Sequence, residues 1–553
     1  MSVPKFKKQA ALVTLLLLSS TASVFAQQQP DAGRTIQELR PAPSLPAPSP
    51  SVSLETPQRQ MQEPGGPQVT LNTIILEGNT VFSDQTLLAI LGDANGQAFD
   101  LAGMKALADR VTNYYHAHDY PFARAFIPAQ SMKDGTLRIE IVEGRYGEIR
   151  VTPESSRAAT AQKFLDSLQP DSVIRGKPLE RAALILDDQP GYSVMPVVRP
   201  GALAGTGDLD VRLTRDSRFG GNVGIDNHGN RYTGRLRAQS NLFANSPFLF
   251  GDQATLSTIY TEEDMWFGAA GYSVPLGYSG LRGNIGYTQT YYELGKEFEA
   301  LDAHGTAKIA SAGLSYPLLR SQQANVTLSA QYQHKWLEDR QSSTGTSDSK
   351  SSDTLPLSVG FDVRDTFGGG GITYGALSWT PGTLDLDAGL SATDGGSAKT
   401  DGTFNKINLD VARVQALPAG FTVFGRVSGQ AATDNLDSSE KFGLGGPNGV
   451  RAYPTGEGYG DEGALGQVEV RYTIEDMVTP YAFYDAGWVR TNADPFAAGD
   501  NDRSISGAGI GVRFEEAGFN ADASLAWRTN GGDPQSDSKD ETPLLFFKAG
   551  YSF

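Results

Sequence analysis

A chain of 553 residues is too long for one core, so two or more domains are expected. It has no cysteine, which excludes structural disulfides and Cys-type metal sites. Its formal net charge of −17 argues against a nucleic-acid binder, which needs a basic face.

The N-terminus reads as an export address. Lys5, Lys7 and Lys8 form a basic start, Ala10 to Leu18 a short apolar core, and Val24-Phe25-Ala26 a small-residue cleavage site ending at Ala26. The apolar run is too short to cross a bilayer as a helix, which takes about 20 residues. Residues 30–40 follow as a short helix with Ile36 and Leu39 on one face, marginal unless it docks on something. Residues 41–67 hold eight prolines and read as a semi-rigid lead.

Residues 69–143 pattern as a small α+β domain. Val69 to Glu77 is strand-like. Ser83 and Asp100 are N-caps for two helices, the second carrying a stripe of Leu101, Met104, Leu107, Ala108, Val111 and Tyr115. Phe122 to Ala129 and Leu137 to Val142 are strands. Residues 147–215 repeat the order β-α-α-β-β: strand 148–151, helices 156–168 and around 179–186, strands 192–198 and 209–213. Two copies about 70 residues long suggest a tandem repeat.

From about 216 the helical period vanishes. Arg235, Arg237, Gln239 and Asn241 alternate with Leu236, Ala238 and Leu242; Gln467, Glu469 and Arg471 with Val468, Val470 and Tyr472; Ala508, Ile510, Val512 and Phe514 with Gly509, Gly511 and Arg513. In a membrane barrel Arg235, Arg237, Gln239, Glu469 and Arg471 are expected to face inward as a polar wall; a soluble sandwich alternates too, with the sense reversed. The export signal, the length of 216–553 and the ending LLFFKAGYSF, with Tyr551 and Phe553 on one face, favour a transmembrane barrel. At roughly 20 residues per strand and connection the segment makes about 16 strands.

No catalytic constellation emerges. The five histidines are scattered, His116 and His118 point apart on one helix, and no nucleophile elbow or phosphate loop is present, so no cofactor or metal is expected. The acidic stretches near Asp500 and from Asp533 to Glu541 read as solvated loops. Residues 443–463 form a glycine-rich segment around a single arginine, Arg451. In 483–487, Tyr484 and Ala486 suit the lipid side, which turns Phe483, Asp485 and Gly487 inward. An inward carboxylate wants a partner, and a loop folding in with Arg451 at its tip supplies one. The bland alternative is a flexible outer loop with a water-exposed arginine.

The chain resembles the outer-membrane transporters of two-partner secretion, the haemolysin and filamentous-haemagglutinin secretion/activation family of the BamA-type superfamily. LRIEIVEGRYGEIRV (137–151), LERAALILDDQPGYSV (179–194), DNHGNRYTG (226–234), GDQ (251–253), VRAY (450–453) and Phe483-x-Asp485-x-Gly487 carry the resemblance. It implies a 16-stranded antiparallel transmembrane β-barrel in the Gram-negative outer membrane, with two α+β POTRA domains in the periplasm. The implied divisions are a signal peptide 1–26, a plug helix 27–41, a Pro-rich linker 42–67, POTRA domains 68–144 and 145–215, and a barrel 216–553. The resemblance makes Val450, Arg451 and Tyr453 the tip of the sixth loop, and Phe483, Asp485 and Gly487 the strand motif that holds it. It also makes Tyr551 and Phe553 an assembly signal. The implied partners are a large exoprotein with an N-terminal secretion domain, the barrel-assembly machinery, and outer-membrane lipid and lipopolysaccharide. One departure is Ala452, where the usual form has Gly; were φ positive there, Ala would cost on the order of 1 kcal/mol. The competing readings are an assembly factor that inserts other barrels and a passive porin. An enzyme is a distant alternative.

Overall fold

The computed structural model describes residues 29–39, 45–46, 65–153 and 155–553. The expected signal segment with Ala26 and most of the Pro-rich lead lie outside the described residues. Two small sheets come first and share one topology. In the first, the central strand Thr136–Val142 runs parallel to Thr73–Glu77 and antiparallel to Arg124–Phe126. Helices α1 (Asp84–Leu91) and α2 (Leu101–Ala117) pack on it, with caps at Ser83 and Asp100 accepting from Thr86 and Gly103. Leu87, Leu107, Val111, Tyr115, Leu137 and Ile139 form the core. In the second sheet Thr206–Arg215 is central, between Arg145–Thr152 and Tyr192–Pro200, covered by α3 (Ser156–Gln162) and α4 (Gly176–Asp187).

Three elements are shorter than the periodicity predicts. The strand over 69–77 breaks where Leu71 turns into the core and Asn72 N–H bonds Gly135. The strand over 122–129 shrinks to Arg124–Phe126 between Pro121 and Pro128, which donate no ladder bond. The helix over 156–168 tightens after Gln162 into a single 3-10 turn, Lys163–Leu165. At the joint between the sheets, buried Glu143 accepts from Thr80 and Val81 N–H (2.6 and 2.7 Å) and Tyr115 Oη (2.9 Å). Burial pushes its carboxyl up, and the bonds from Thr80, Val81 and Tyr115 outweigh it and hold it below the usual range.

The remainder closes into one antiparallel barrel running from Phe219–Asp226 to Leu544–Ser552. The eighth strand comes in two pieces, Thr346–Thr354 and Leu357–Asp365, paired with the same two neighbours and parted at Leu355-Pro356. Counted as one, it gives sixteen strands. Leu242, Val468, Val470, Tyr472, Tyr484, Ile510, Val512, Leu545 and Tyr551 are exposed on the outer wall, while Glu469 and Asp485 are buried inside. Apolar outside and charged inside is the sense a bilayer imposes and a soluble sandwich reverses. Among the described residues no helix is long and apolar enough to cross a membrane.

The second small domain is bolted to the barrel's short-turn rim. Arg320 grips Asp188 through two bonds of 2.7 and 2.8 Å, Ser246 Oγ donates to Pro190 O at 2.7 Å, and Phe250 stacks on Tyr192 at 4.4 Å. At the seam, the last strand pairs with the first from Lys548↔Asp226 to Ser552↔Asn222. Phe553 extends that pairing by exchanging backbone bonds with Gly221 at 3.0 and 3.1 Å. Deleting Phe553 removes both bonds at the shortest pairing of the wall, so the yield of heat-modifiable barrel in membranes is expected to fall severalfold; normal mobility and yield would refute this.

Candidate functional site

The sixth long loop, residues 433–461 between strands Phe421–Ala432 and Glu462–Tyr472, folds back into the lumen. Its tip is a knot of backbone bonds: Val450 N–H to Leu444 O at 2.7 Å, Gly446 N–H to Tyr453 O and Tyr453 N–H to Val450 O, both at 3.0 Å. Gly446 has φ +94°, and a Cβ at Gly449 would lie 1.9 Å from Leu444 O, so both turns demand glycine. Val450, Ala452 and Tyr453 are fully buried among Leu444, Leu465, Phe483 and Ile505. The Tyr453 hydroxyl lies 2.9 Å from the carbonyls of Asn530 and Gly532.

Arg451 meets strand Val478–Arg490 at Asp485. Its Nε and Nη2 each donate to a different Asp485 oxygen at 2.7 Å, and its backbone N–H adds a bond of 3.2 Å. Nη1 reaches Glu469 at 2.5 Å, and the guanidinium lies 3.5 Å over the Phe483 ring. Glu469 also accepts from Arg471 (2.8 Å) and Arg513 (3.0 and 3.2 Å), and Arg513 continues to Asp522 at 2.7 Å. Removing one partner of such a buried pair leaves an uncompensated charge, at about 3–5 kcal/mol.

The neighbouring strand makes room for this. Register sets Tyr481, Phe483 and Asp485 against Gly511, Gly509 and Gly507. A Cβ at Gly511 or Gly509 would lie 2.3 Å from the facing ring, and one at Gly507 would lie 2.2 Å from Ala452 Cβ. The backbone at Ala452 stays outside the positive-φ region, so the departure from Gly costs nothing there. Its methyl fills the place that Gly507 leaves open. Gly487 is seated the same way against Leu444.

The short helix Ala32–Glu38 lies inside the barrel near the long-loop end. Asp31 caps it, accepting from Arg34 N–H at 2.8 Å. Ala32 N–H donates to Asp339 at 2.9 Å, Asn230 Nδ2 to Glu38 at 3.0 Å, and Gln37 bonds Ser439 O. Ala32 and Ile36 bury against Tyr232, Tyr292 and Leu337, with Leu39 packed alongside. Gly33 touches Ser438, and Arg34 lies 5.1 Å over Tyr459, so the helix leans on the sixth loop itself. Pro46 O, in contrast, lies 3.4 Å from Arg364, beside the short turn at the opposite end.

The structure thus brings together Val450, Arg451, Tyr453, Phe483, Asp485 and Gly487, while Tyr551 and Phe553 sit apart on the seam. Glu469 and Arg471, read from the sequence only as polar wall, belong to the network, and Arg513 joins it unforeseen. Two expectations are corrected. Arg235 does not line the lumen: it lies in the first loop and donates to Asp537 (2.6 Å) and Glu541 (2.9 Å). The stretch 533–541 is therefore not simply solvated; Asp537 is buried beneath Arg231 and Arg235. Buried Glu457, accepting from Arg503 and the N–H groups of Gln535 and Ser536, ties the sixth loop to the same stretch.

Residues 205–514 match the family described as haemolysin secretion/activation protein ShlB/FhaC/HecB, and residues 69–144 match the ShlB-type POTRA domain. The heme/hemopexin transporter protein HuxB of Haemophilus influenzae is 27% identical over 538 residues, covering 93% of this chain and 94% of that one. The outer membrane transporter CdiB of Escherichia coli is 23% identical over 487 residues, 86% and 80% of the two chains. The solved structure of CdiB from Escherichia coli superposes with a TM-score of 0.70 at 20% identity, over 91% of this chain and 94% of that one.

Gly507→Ala should push the tip out of the wall, because the new methyl meets Ala452 Cβ. Ala452→Gly on that background should re-seat it. Limited proteolysis of the sixth loop reads both: faster cleavage in the single variant, slowed again in the double. Equal rates in all three proteins would rule out the fit.

Proposed function

The chain belongs to the haemolysin secretion/activation family, and from that premise we propose how it passes its cargo. It is an outer-membrane transporter of two-partner secretion, with its N-terminal domains in the periplasm. The observation that carries the mechanism is that the lumen holds two polypeptide segments, the helix and the sixth loop, by hydrogen bonds and ion pairs to a polar wall. The helix is seven residues long, too short to be stable alone, and the apolar side chains it buries are Ala32 and Ile36 with Leu39 alongside, worth about 3 kcal/mol. It is a removable occupant. The loop tip, with its buried arginine, is a fixed one.

In this reading the cargo is a large exoprotein with an N-terminal secretion domain. It pairs first as an added strand on an open sheet edge of the small domains, such as Arg145–Thr152 or Tyr192–Pro200. It displaces the helix and threads the lumen extended, past side chains that offer no apolar wall to stick to. Folding outside makes the passage one-way, since the periplasm supplies no nucleotide and the sequence has no nucleotide motif. The barrel-assembly machinery reads the last strand through Tyr551 and Phe553, and lipid and lipopolysaccharide surround the outer wall.

Two experiments test the scheme. Arg451→Ala should cut secretion by an order of magnitude or more while the barrel still assembles. Asp485→Ala should do less harm, because Glu469 remains to hold the guanidinium, and the double variant should be no worse than Arg451→Ala. Normal secretion by Arg451→Ala would remove the lock from the mechanism. Deleting residues 27–60 should raise single-channel conductance in planar bilayers, and an unchanged conductance would mean the helix does not restrict the pore.

A further inference from the structure

Helix α4 of the second small domain does not lie under the pore. It lies along the outside of the barrel at its periplasmic rim. Arg181 donates to Tyr316 Oη (3.2 Å), Pro317 O (2.7 Å) and Leu318 O (3.3 Å). Tyr316 is on the outer face: it pairs with Leu328, and its alternate neighbours Leu314 and Leu318 are exposed. Between helix and wall opens a cavity of about 940 Å³.

Its lining is out of character for this chain. In a protein of net charge −17, five cations reach it and only two carboxylates. Arg175 is engaged by Asp119 at 3.3 Å and Arg320 by Asp188 at 2.7 Å. The Glu180 carboxylate takes the Gln322 N–H at 2.8 Å, leaving Asp166 as the other acid. Lys163, Lys177 and Arg181 have no carboxylate partner among the described residues; Lys163 Nζ only rests 5.4 Å over the Tyr278 ring. Leu318, Leu319 and Tyr278 also line the cavity and are exposed. Unbalanced cations beside exposed leucines fit an anion that carries an apolar tail. An acidic peptide would satisfy the cations and leave the leucines bare.

We propose that this groove seats an anionic phospholipid of the periplasmic leaflet, its phosphate on Lys163, Lys177 and Arg181 and its chains along Leu318 and Leu319. The inference uses the outer-membrane placement of the barrel and is independent of how cargo is passed. The lipid then fills the angle between the second domain and the wall and helps hold the domain at its setting. Basic pockets at a membrane surface select anionic headgroups by the same charge balance.

The test is native mass spectrometry of the full-length protein in detergent, offered phosphatidylglycerol or phosphatidylcholine at equal concentration. The wild type should retain phosphatidylglycerol and shed phosphatidylcholine. Lys163→Gln with Lys177→Gln, both exposed and outside the barrel, should weaken that retention roughly thirty-fold, the worth of two cations at an anionic surface. Lys133→Gln, on the first small domain, should leave it unchanged. Equal retention by the double variant would overturn the proposal, as would equal retention of phosphatidylcholine. Displacement of the lipid by millimolar inorganic phosphate would reduce the groove to a phosphate site. Displacement by an acidic peptide in the wild type alone would make it a protein-docking surface instead.

Discussion

Asp485 lies on the inner face of its strand under a loop that keeps water out, and a carboxylate in that position must be answered by something. Arg451 answers it with three bonds, and the rest of the lumen follows from that grip. The arginine pulls the sixth loop down to the wall. The loop then carries Ser438, Ser439 and Tyr459 to where the N-terminal helix rests. The wall accepts the loop only because Gly507, Gly509 and Gly511 face the groups that crowd it. Arg451, held by Asp485 and Glu469 together, therefore fixes the depth of the loop, and the loop bears the seat of the helix.

Much of this was legible in the sequence, for reasons that differ by residue. The barrel was visible because hydrocarbon outside forces alternate apolar residues, and that period survives in any strand, as in 467–472. The Arg451–Asp485 contact was visible because one arginine stood alone in a glycine-rich loop and one aspartate fell on the inward register of its strand. Arg513 was not, because its part depends on two strand registers at once, bringing it onto Glu469 across the intervening strand. Gly509 and Gly511 looked like one phase of an alternation, and Gly507 was not singled out; what they make room for lies on another strand and, at Gly507, on a loop. Arg235 and Asp537 were misplaced for a related reason. Their bond joins loops 302 residues apart, and nothing local in either loop announces it. In the small domains the misses are overruns: apolar periodicity continues through Leu71 and past Phe126, while the backbone turns away.

The second small domain bears on the barrel differently from the first. Its central strand leads through Asp216 into Phe219 with almost no slack, and Arg320, Ser246 and Phe250 fasten it from the rim. A domain held this way presents its free strand edges at a fixed angle to the mouth. Among the described residues the first domain is tied to the second by Arg145, which reaches Glu143 and Thr80, and by the Arg175–Asp119 contact. On the proposed route a chain arriving from the periplasm meets two edges in series, the nearer one fixed relative to the pore.

The helix in the lumen is covalently part of the pore it occupies. On the displacement proposed above, a helix that leaves its seat stays joined to the rest of the chain through residues 40–67. Return is then an intramolecular event, governed by an effective concentration set by the length of that chain rather than by how many copies the membrane holds. An occupant bound only weakly to its seat can still refill an empty pore under those terms. On the proposed route, when the last of a cargo chain clears the barrel, the competitor already attached is the nearest peptide to the vacancy, and the permeability barrier resets at a rate set by the length of chain that joins them.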